Sequence, residues 1–109
     1  EGRFSLRSYL PIITLEAWLA QDDLNTAVFT TKYILDGSSS ILHVYHFEED
    51  GAWQFSGSED DLDDDDYRVI SLEEVINLDS SLLEISDLPV GYEAHRKAIG
   101  FSWEIIKSQ

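Results

Sequence analysis

The most concentrated chemistry in this sequence is a run of carboxylates, because seven of the nine residues 58–66 are acidic. Closely spaced carboxylates can bind Ca²⁺, as in the 12-residue loop of an EF-hand. With Asp61 in the first position, the third and fifth positions are also aspartates. However, Asp66 stands where the loop needs Gly, and Leu72 stands where it needs a bidentate Glu. The run therefore does not fit an EF-hand, and a looser divalent-cation site stays open as an alternative.

The other residues that could do chemistry are three histidines. His43 and His46 are three apart on a predicted strand, so they should point to opposite faces, and His95 is distant in the sequence. The spacings typical of zinc sites are absent, and so are a G-x-S-x-G turn, a glycine-rich phosphate loop and a cysteine nucleophile. A solvated aspartate run is also the opposite of the apolar setting that shifts a catalytic carboxyl pKa. We expect no enzyme activity, no metal site and no cofactor.

Charge is unevenly distributed along the chain. The net charge is −15, and ten of the 22 acidic residues lie between positions 48 and 66, so this segment holds two-thirds of the excess. Such a surface repels the phosphates of nucleic acids and anionic membranes, so we expect neither as a partner. It would attract and steer a basic protein. The alternative is that the charge serves solubility alone.

Size and composition indicate one folded unit. The 109 residues suit a single domain spanning 1–109, and 43% hydrophobic residues suffice for a core. Glu1, Gly2 and Arg3 are typical of what an engineered protease site leaves behind, so they are set aside. Neither a signal segment nor an apolar run of about 20 residues is evident. The lack of cysteine suits a reducing compartment.

The N-terminal half predicts one helix and three strands. Thr14 can cap a short amphipathic helix that ends near residues 21–23, with Trp18 on its buried face. Residues 27–35, 41–47 and 52–56 are rich in β-branched and aromatic residues, and turn residues separate them. They predict an antiparallel meander that buries Trp53 and Phe55.

The C-terminal half predicts a second helix between strands. Residues 67–70 form a short strand, and Ser71 and Glu74 make a capping box that starts a helix ending near residues 77–79. Residues 80–89 are ambiguous and could add a further helical turn, and residues 101–107 predict a final strand. The predicted fold is α+β, with an antiparallel sheet of four to five strands packed with two or three helices.

Four short motifs between residues 27 and 96 have the order and spacing of a known family. They are a Thr-Thr-Lys strand, a Gly-x-Trp-x-Phe-x-Gly segment, the acidic pair after it and a late Leu-Pro-Val-Gly: Thr30, Thr31, Lys32; Gly51, Trp53, Phe55, Gly57; Glu59, Asp60; Leu88, Pro89, Val90, Gly91. On these motifs the chain resembles bacterial domains, once of unknown function, that are now grouped with toxin-immunity proteins. Ala52 between Gly51 and Trp53, and the longer aspartate run, depart from the pattern, so no specific toxin is implied.

The resemblance implies a cytoplasmic bacterial protein that binds a cognate toxin and blocks its site. Many such toxins act on nucleic acid and carry basic clefts, which an acidic surface can occupy. The residues expected to contact the partner are Glu59, Asp60, Asp61, Asp63, Asp64, Asp65, Asp66 and Tyr67. Tyr67 is the aromatic anchor candidate, with a core role as its alternative. A cation-binding module, a small enzyme and a structural subunit are the other functions left open, and the oligomeric state is undetermined.

Overall fold

The computed structural model describes Trp18 and residues 22–109. The helix predicted over residues 14–21 lies outside the described residues except for Trp18. Trp18 is helical and fully buried against Trp53, with 5.0 Å between the ring centroids. This agrees with the core position expected for it.

The first strand is shorter than predicted because a helix replaces its second half. Strand β1 covers Ala27–Thr31, and helix α1 covers Lys32–Leu35. Thr31 ends the strand and caps the helix, since its hydroxyl oxygen accepts a hydrogen bond from the Ile34 amide at 3.3 Å. The prediction of a continuous strand over residues 27–35 was therefore wrong beyond Thr31.

The next two strands form a hairpin, but β1 does not join it in the predicted order. Strands β2 (His43–His46) and β3 (Trp53–Ser56) pair antiparallel. Strand β1 pairs with β3 rather than β2, and does so in parallel. After β1, helix α1 and the turn that follows it carry the chain past the position of β3 to β2. The predicted three-stranded meander was therefore wrong.

The second half follows the prediction more closely. A 3₁₀ helix (Asp64–Asp66) leads into strand β4 (Tyr67–Ser71) and helix α2 (Leu72–Leu78). The predicted capping box is present: the Glu74 amide donates to the Ser71 hydroxyl and the Ser71 amide donates to the Glu74 carboxylate. Residues predicted as ambiguous form a second 3₁₀ helix (Ser80–Ile85).

Two C-terminal strands complete a six-stranded mixed sheet. Strand β5 (Tyr92–His95), which was not predicted, pairs antiparallel with β2 and with the edge strand β6 (Glu104–Lys107). The sheet order is β4-β1-β3-β2-β5-β6. The α+β class is thus confirmed, whereas the expected antiparallel sheet of four to five strands is corrected to six strands with one parallel pair.

One face of the sheet is covered and the other is open. The core packs inward-facing strand residues against the helices, and consists of Trp18, Val28, Ile34, Ile41, Val44, Trp53, Phe55, Leu72, Val75, Leu82, Ile85, Leu88 and Ala94. Burial of Trp53 and Phe55 is as predicted. Helices α1 and α2 and the second 3₁₀ helix put their buried apolar residues into this core, whereas the 3₁₀ helix Asp64–Asp66 lies beside the opposite face, which no described α-helix covers. None of the helices in the described part of the chain has the length and apolar character needed to cross a membrane.

Candidate functional site

The uncovered side of the sheet, called the open face below, carries a row of side chains that crosses all six strands. Strand registers place these side chains opposite one another in sheet order: Val69, Phe29, Gln54, Tyr45, Glu93 and Ile106. Phe29 is 40% exposed, and the Tyr45 ring stacks on that of Phe47 at 6.1 Å. Accessible aromatic side chains on an uncovered sheet face are typical of contact surfaces rather than of a solvated face.

Two hollows lie side by side on the open face and share Phe47, Gln54 and Tyr67 as a common wall. The first, of about 420 Å³, is bounded by His43 and Tyr45 on the sheet and by residues 56–62. The second, of about 500 Å³, is bounded by Phe29 and Ala52, and by the carboxylates Glu49, Asp50 and Asp64. Both hollows are therefore lined by aromatic rings and by acidic side chains.

The predicted contact residues do not play equal parts: five of the eight line the hollows of this face, namely Glu59, Asp60, Asp61, Asp64 and Tyr67. Asp60, Asp61, Asp63, Asp64 and Asp65 are exposed, and Tyr67 is half-buried in the wall between the hollows. Residues 59–66 are called the acidic loop below. Asp60, Asp61 and Asp64 line the hollows, and Asp65 is exposed beside them in the loop. Asp63, Asp66 and Glu59 instead make interactions within the protein.

Asp66 points into the protein and organises the acidic loop. Its carboxylate accepts a hydrogen bond from the Asp63 amide at 2.9 Å and pairs with the Lys32 ammonium at 3.2 Å. These interactions stabilise the charged form, so the backbone hydrogen bond from Asp63, and then Lys32, hold the pKa of Asp66 below its ordinary value. Asp66 therefore fixes the loop to α1.

Glu59 ties the other end of the acidic loop to the turn after α1. The Ser39 hydroxyl donates to Glu59 Oε2 at 2.7 Å, while Oε1 is buried and accepts no hydrogen bond from the described residues. Gly57 permits this close approach, because a Cβ there would meet the Ser39 side chain and would lie 2.8 Å from the Ser40 carbonyl oxygen. A partner that reaches Glu59 Oε1 would satisfy a buried acceptor.

Two histidines distant in sequence form a hydrogen-bonded pair beside the first hollow. His43 on β2 faces His95 on β5, with 2.8 Å between their Nδ1 atoms, and His95 Nε2 lies 2.7 Å from Glu93 Oε1. Glu93 also accepts a hydrogen bond from the Ser108 hydroxyl at 2.7 Å. In the tautomer in which His95 Nε2 donates to Glu93, His95 Nδ1 is an acceptor and His43 Nδ1 donates the shared hydrogen bond.

The electrostatic setting of this pair favours a neutral His43. Burial, and then His95, lower the pKa of His43, with Asp60 and Glu93 opposing them. Hydrogen bonds from Ser108 and His95 lower the pKa of Glu93, which stays ionised. As predicted, His43 and His46 point to opposite faces, since His46 is buried and contacts the Leu88 carbonyl. No group of three or more His, Asp or Glu side chains among the described residues could hold a metal ion.

Sequence reasoning missed the sheet side of this site. The residues it did not identify are Phe29, Tyr45, Phe47, Gln54, Glu93 and His95. Alternation in β2 was the available signal, because His43, Tyr45 and Phe47 all fall on the side away from Val44 and His46. Pairing with β5 had no comparable signal, because it joins residues about 50 positions apart.

Comparisons with known proteins add no relative to this description. A scan against protein-family models, a search of curated proteins and a search of solved structures each found no match. The resemblance to immunity proteins therefore rests on the sequence motifs quoted above.

Proposed function

We propose that this protein is a binding protein that docks a basic protein partner on its open face. The observation that carries the proposal is the group of aromatic rings on the open face, with Phe29 exposed and Tyr45, Phe47 and Tyr67 half-buried, bounded by two acidic segments, residues 48–50 and the acidic loop. Neither hollow is lined by Lys or Arg among the described residues. The carboxylates around the aromatic rings are thus left for cations supplied by another molecule.

The two kinds of residue would serve different stages of binding. Exposed carboxylates raise the rate of encounter with a basic surface, and the effect weakens as salt is added. Aromatic side chains supply contact area that loses water in the complex, and such residues are common hot spots. Phe29, Phe47 and Tyr67 are the anchors in this proposal, and Asp60, Asp61 and Asp65 provide the steering charge.

The resemblance extends the proposal to the identity of the partner. Immunity proteins block cognate toxins, and a toxin that acts on nucleic acid presents a basic cleft. We infer that the open face covers such a cleft and excludes the toxin's substrate by occlusion. The protein would then act in the bacterial cytoplasm, without catalysis and without a cofactor.

The experiment uses the product of the gene adjacent to the one that encodes this chain. The two proteins are co-expressed, co-purified and titrated by calorimetry, and growth reports whether the neighbour is toxic alone. The proposal predicts a complex that is weakened in the triple variant Asp60→Asn/Asp61→Asn/Asp65→Asn. All three residues are exposed and none of their carboxylates hydrogen-bonds to another residue in the described part of the chain, so the fold should be retained.

A matched control removes three charges from elsewhere. Glu73, Glu84 and Asp87 are exposed, and Glu73→Gln/Glu84→Gln/Asp87→Asn changes the net charge equally at a distance from both hollows. The proposal expects this control to bind like the unmodified protein. The proposal would be contradicted if the adjacent gene product were not toxic and formed no complex. It would also be contradicted if both triple variants weakened the complex equally.

A further inference from the structure

The second hollow, called the aromatic groove below, combines an apolar floor with an acidic rim. Its floor and walls are formed by Phe29, Phe47, Ala52, Gln54 and Tyr67. Its rim carries the carboxylates of Glu49, Asp50 and Asp64. The volume of about 500 Å³ exceeds that of one side chain, so the groove can admit a long side chain together with its flanking backbone.

The rim carboxylates come from two separate loops. Glu49 and Asp50 lie in the turn between β2 and β3, and Asp64 begins the 3₁₀ helix of the acidic loop. One oxygen of Asp50 accepts a hydrogen bond from the Ala52 amide at 3.0 Å, which orients its side chain within the turn. Negative charge therefore reaches the groove from two separate loops rather than from one run of sequence.

The cations closest in sequence to the groove are already engaged. Lys32 pairs with Asp66, and the Arg68 guanidinium donates to the carbonyl oxygens of Asp65 and Tyr67. Of the remaining described basic residues, Arg96 is buried, while Lys97 follows β5 and Lys107 ends β6 at the other edge of the sheet. None of these side chains lines the groove, so no described cation neutralises its charge.

We propose that the aromatic groove is a receptor for an arginine side chain of the partner, an inference that rests on the proposed function. A guanidinium stacks on aromatic rings and pairs with carboxylates on its edges, and it is more weakly hydrated than an ammonium ion. Phe29, Phe47 and Tyr67 provide the ring surface, while the rim provides acceptors. A lysine offers neither the planar stack nor the fork of donors, so it should bind more weakly.

The inference can be tested without knowledge of the partner. The amide resonances of the ¹⁵N-labelled protein are followed by NMR during titration with N-acetyl-arginine amide, N-acetyl-lysine amide or N-acetyl-citrulline amide. Citrulline has the shape of arginine but no charge. We expect saturable shifts centred on Phe29, Phe47, Gln54 and Tyr67 with arginine, weaker shifts with lysine and none with citrulline.

Two variants separate the contributions of charge and ring. Glu49→Gln/Asp64→Asn removes two rim charges, and its control Glu73→Gln/Glu84→Gln removes two charges elsewhere. Phe47→Leu removes a ring while keeping apolar volume, and its control is Phe101→Leu, since Phe101 is 55% exposed and outside the groove. Each groove variant should weaken arginine binding by about two- to fivefold, and each control should leave it unchanged. Thermal melts confirm that the variants are folded.

The outcomes distinguish this inference from the proposed function. Equal shifts with arginine and citrulline, shifts spread over the whole acidic surface, or no arginine binding would overturn the arginine receptor. Suppose that arginine does not bind in the groove, but the adjacent gene product still binds and Asp60→Asn/Asp61→Asn/Asp65→Asn weakens that complex. The proposed function would then stand, and only the arginine receptor would be overturned. If arginine bound in the groove while no such complex formed, the proposed function would fail and the receptor would remain.

Discussion

Individual acidic residues in one run of sequence have opposite roles in this protein. Asp66 is buried against Lys32 and the Asp63 amide, while Asp60, Asp61 and Asp65 extend into solvent. Composition alone treats these residues as equivalent, and the sequence prediction did so. The distinction depends on where α1 places Lys32, which is a property of the fold. The exposed aspartates can be neutralised to test binding, whereas substitution of Asp66 would also disturb the acidic loop.

At His43, the structure predicts a pH dependence of stability. The pKa of His43 is lowered in the folded protein, so the unfolded chain binds the proton first as the pH falls. The stabilisation from neutral His43 is complete above about pH 6.5 and is lost as the pH falls through the folded pKa. We expect the free energy of unfolding to decrease over this range, as measured by denaturant titration at several pH values.

The variant His43→Gln isolates this contribution. It removes the titrating group while keeping a side chain that can donate to His95, so its stability should fall less between about pH 7.5 and pH 5.5. Carboxylates contribute mainly at lower pH, because the lowered pKa values of Asp66 and Glu93 preserve their charge there. Parallel pH profiles for the two proteins would show that His43 does not titrate in this way.

Among the elements, α2 is specified locally by its first turn. Ser71 and Glu74 cap it reciprocally, and the Leu72 and Glu73 amides donate to the carbonyls of Thr26 and Leu24. We predict that Ser71→Ala lowers the free energy of unfolding by about 1 kcal/mol. Ser102→Ala, at an exposed position outside the helices, should change it by less than about 0.5 kcal/mol. Chemical denaturation of both variants checks this, and equal effects would contradict the capping role.

The connection between β5 and the second 3₁₀ helix depends on a buried arginine. Arg96 donates to the Asp79 carboxylate at 2.6 Å and to the Ile41 carbonyl at 2.9 Å, and its guanidinium lies 4.2 Å from the Trp103 ring centroid. Arg96→Met leaves Asp79 without its cation and Ile41 without its donors. We expect a loss of about 3 kcal/mol in the free energy of unfolding.

Lys97 provides the comparison for Arg96. It is adjacent, basic and exposed, so Lys97→Met should change stability by less than about 0.5 kcal/mol. A loss in Arg96→Met no larger than that in Lys97→Met would show that the ion pair and its hydrogen bonds do not stabilise the fold.

How far each element could be predicted from sequence depends on whether its determinants are local. The capping box of α2 and the burial of Trp53 and Phe55 were predictable, because they depend on neighbouring residues and on strand alternation. The break after Thr31 was missed because β-branched and aromatic residues occur on both sides of it, and the Thr31 cap decides the outcome. Strand β5 offered little local signal, and it is stabilised by pairing with β2 and β6.

At the scale of the whole molecule, the sheet separates a packed face from a face that carries charge and aromatic rings. The acidic half of the candidate site could be predicted because its residues are contiguous in sequence. The aromatic rings come from β1, β2 and β4 and from Phe47 directly after β2, and Gln54 of β3 lies among them. The order of these strands includes one parallel pair that no local pattern indicated. The His43–His95 pair was missed for the same reason.

The central claim is that the open face steers and binds a basic partner. Its most direct test is the association rate constant with the adjacent gene product, measured by stopped flow at several salt concentrations. Long-range attraction should make this rate fall steeply as salt rises, and Asp60→Asn/Asp61→Asn/Asp65→Asn should flatten the dependence and slow association by about tenfold at low salt. The Glu73, Glu84 and Asp87 control should keep the original slope. A rate that is insensitive to salt, or a triple variant with an unchanged slope, would contradict the claim.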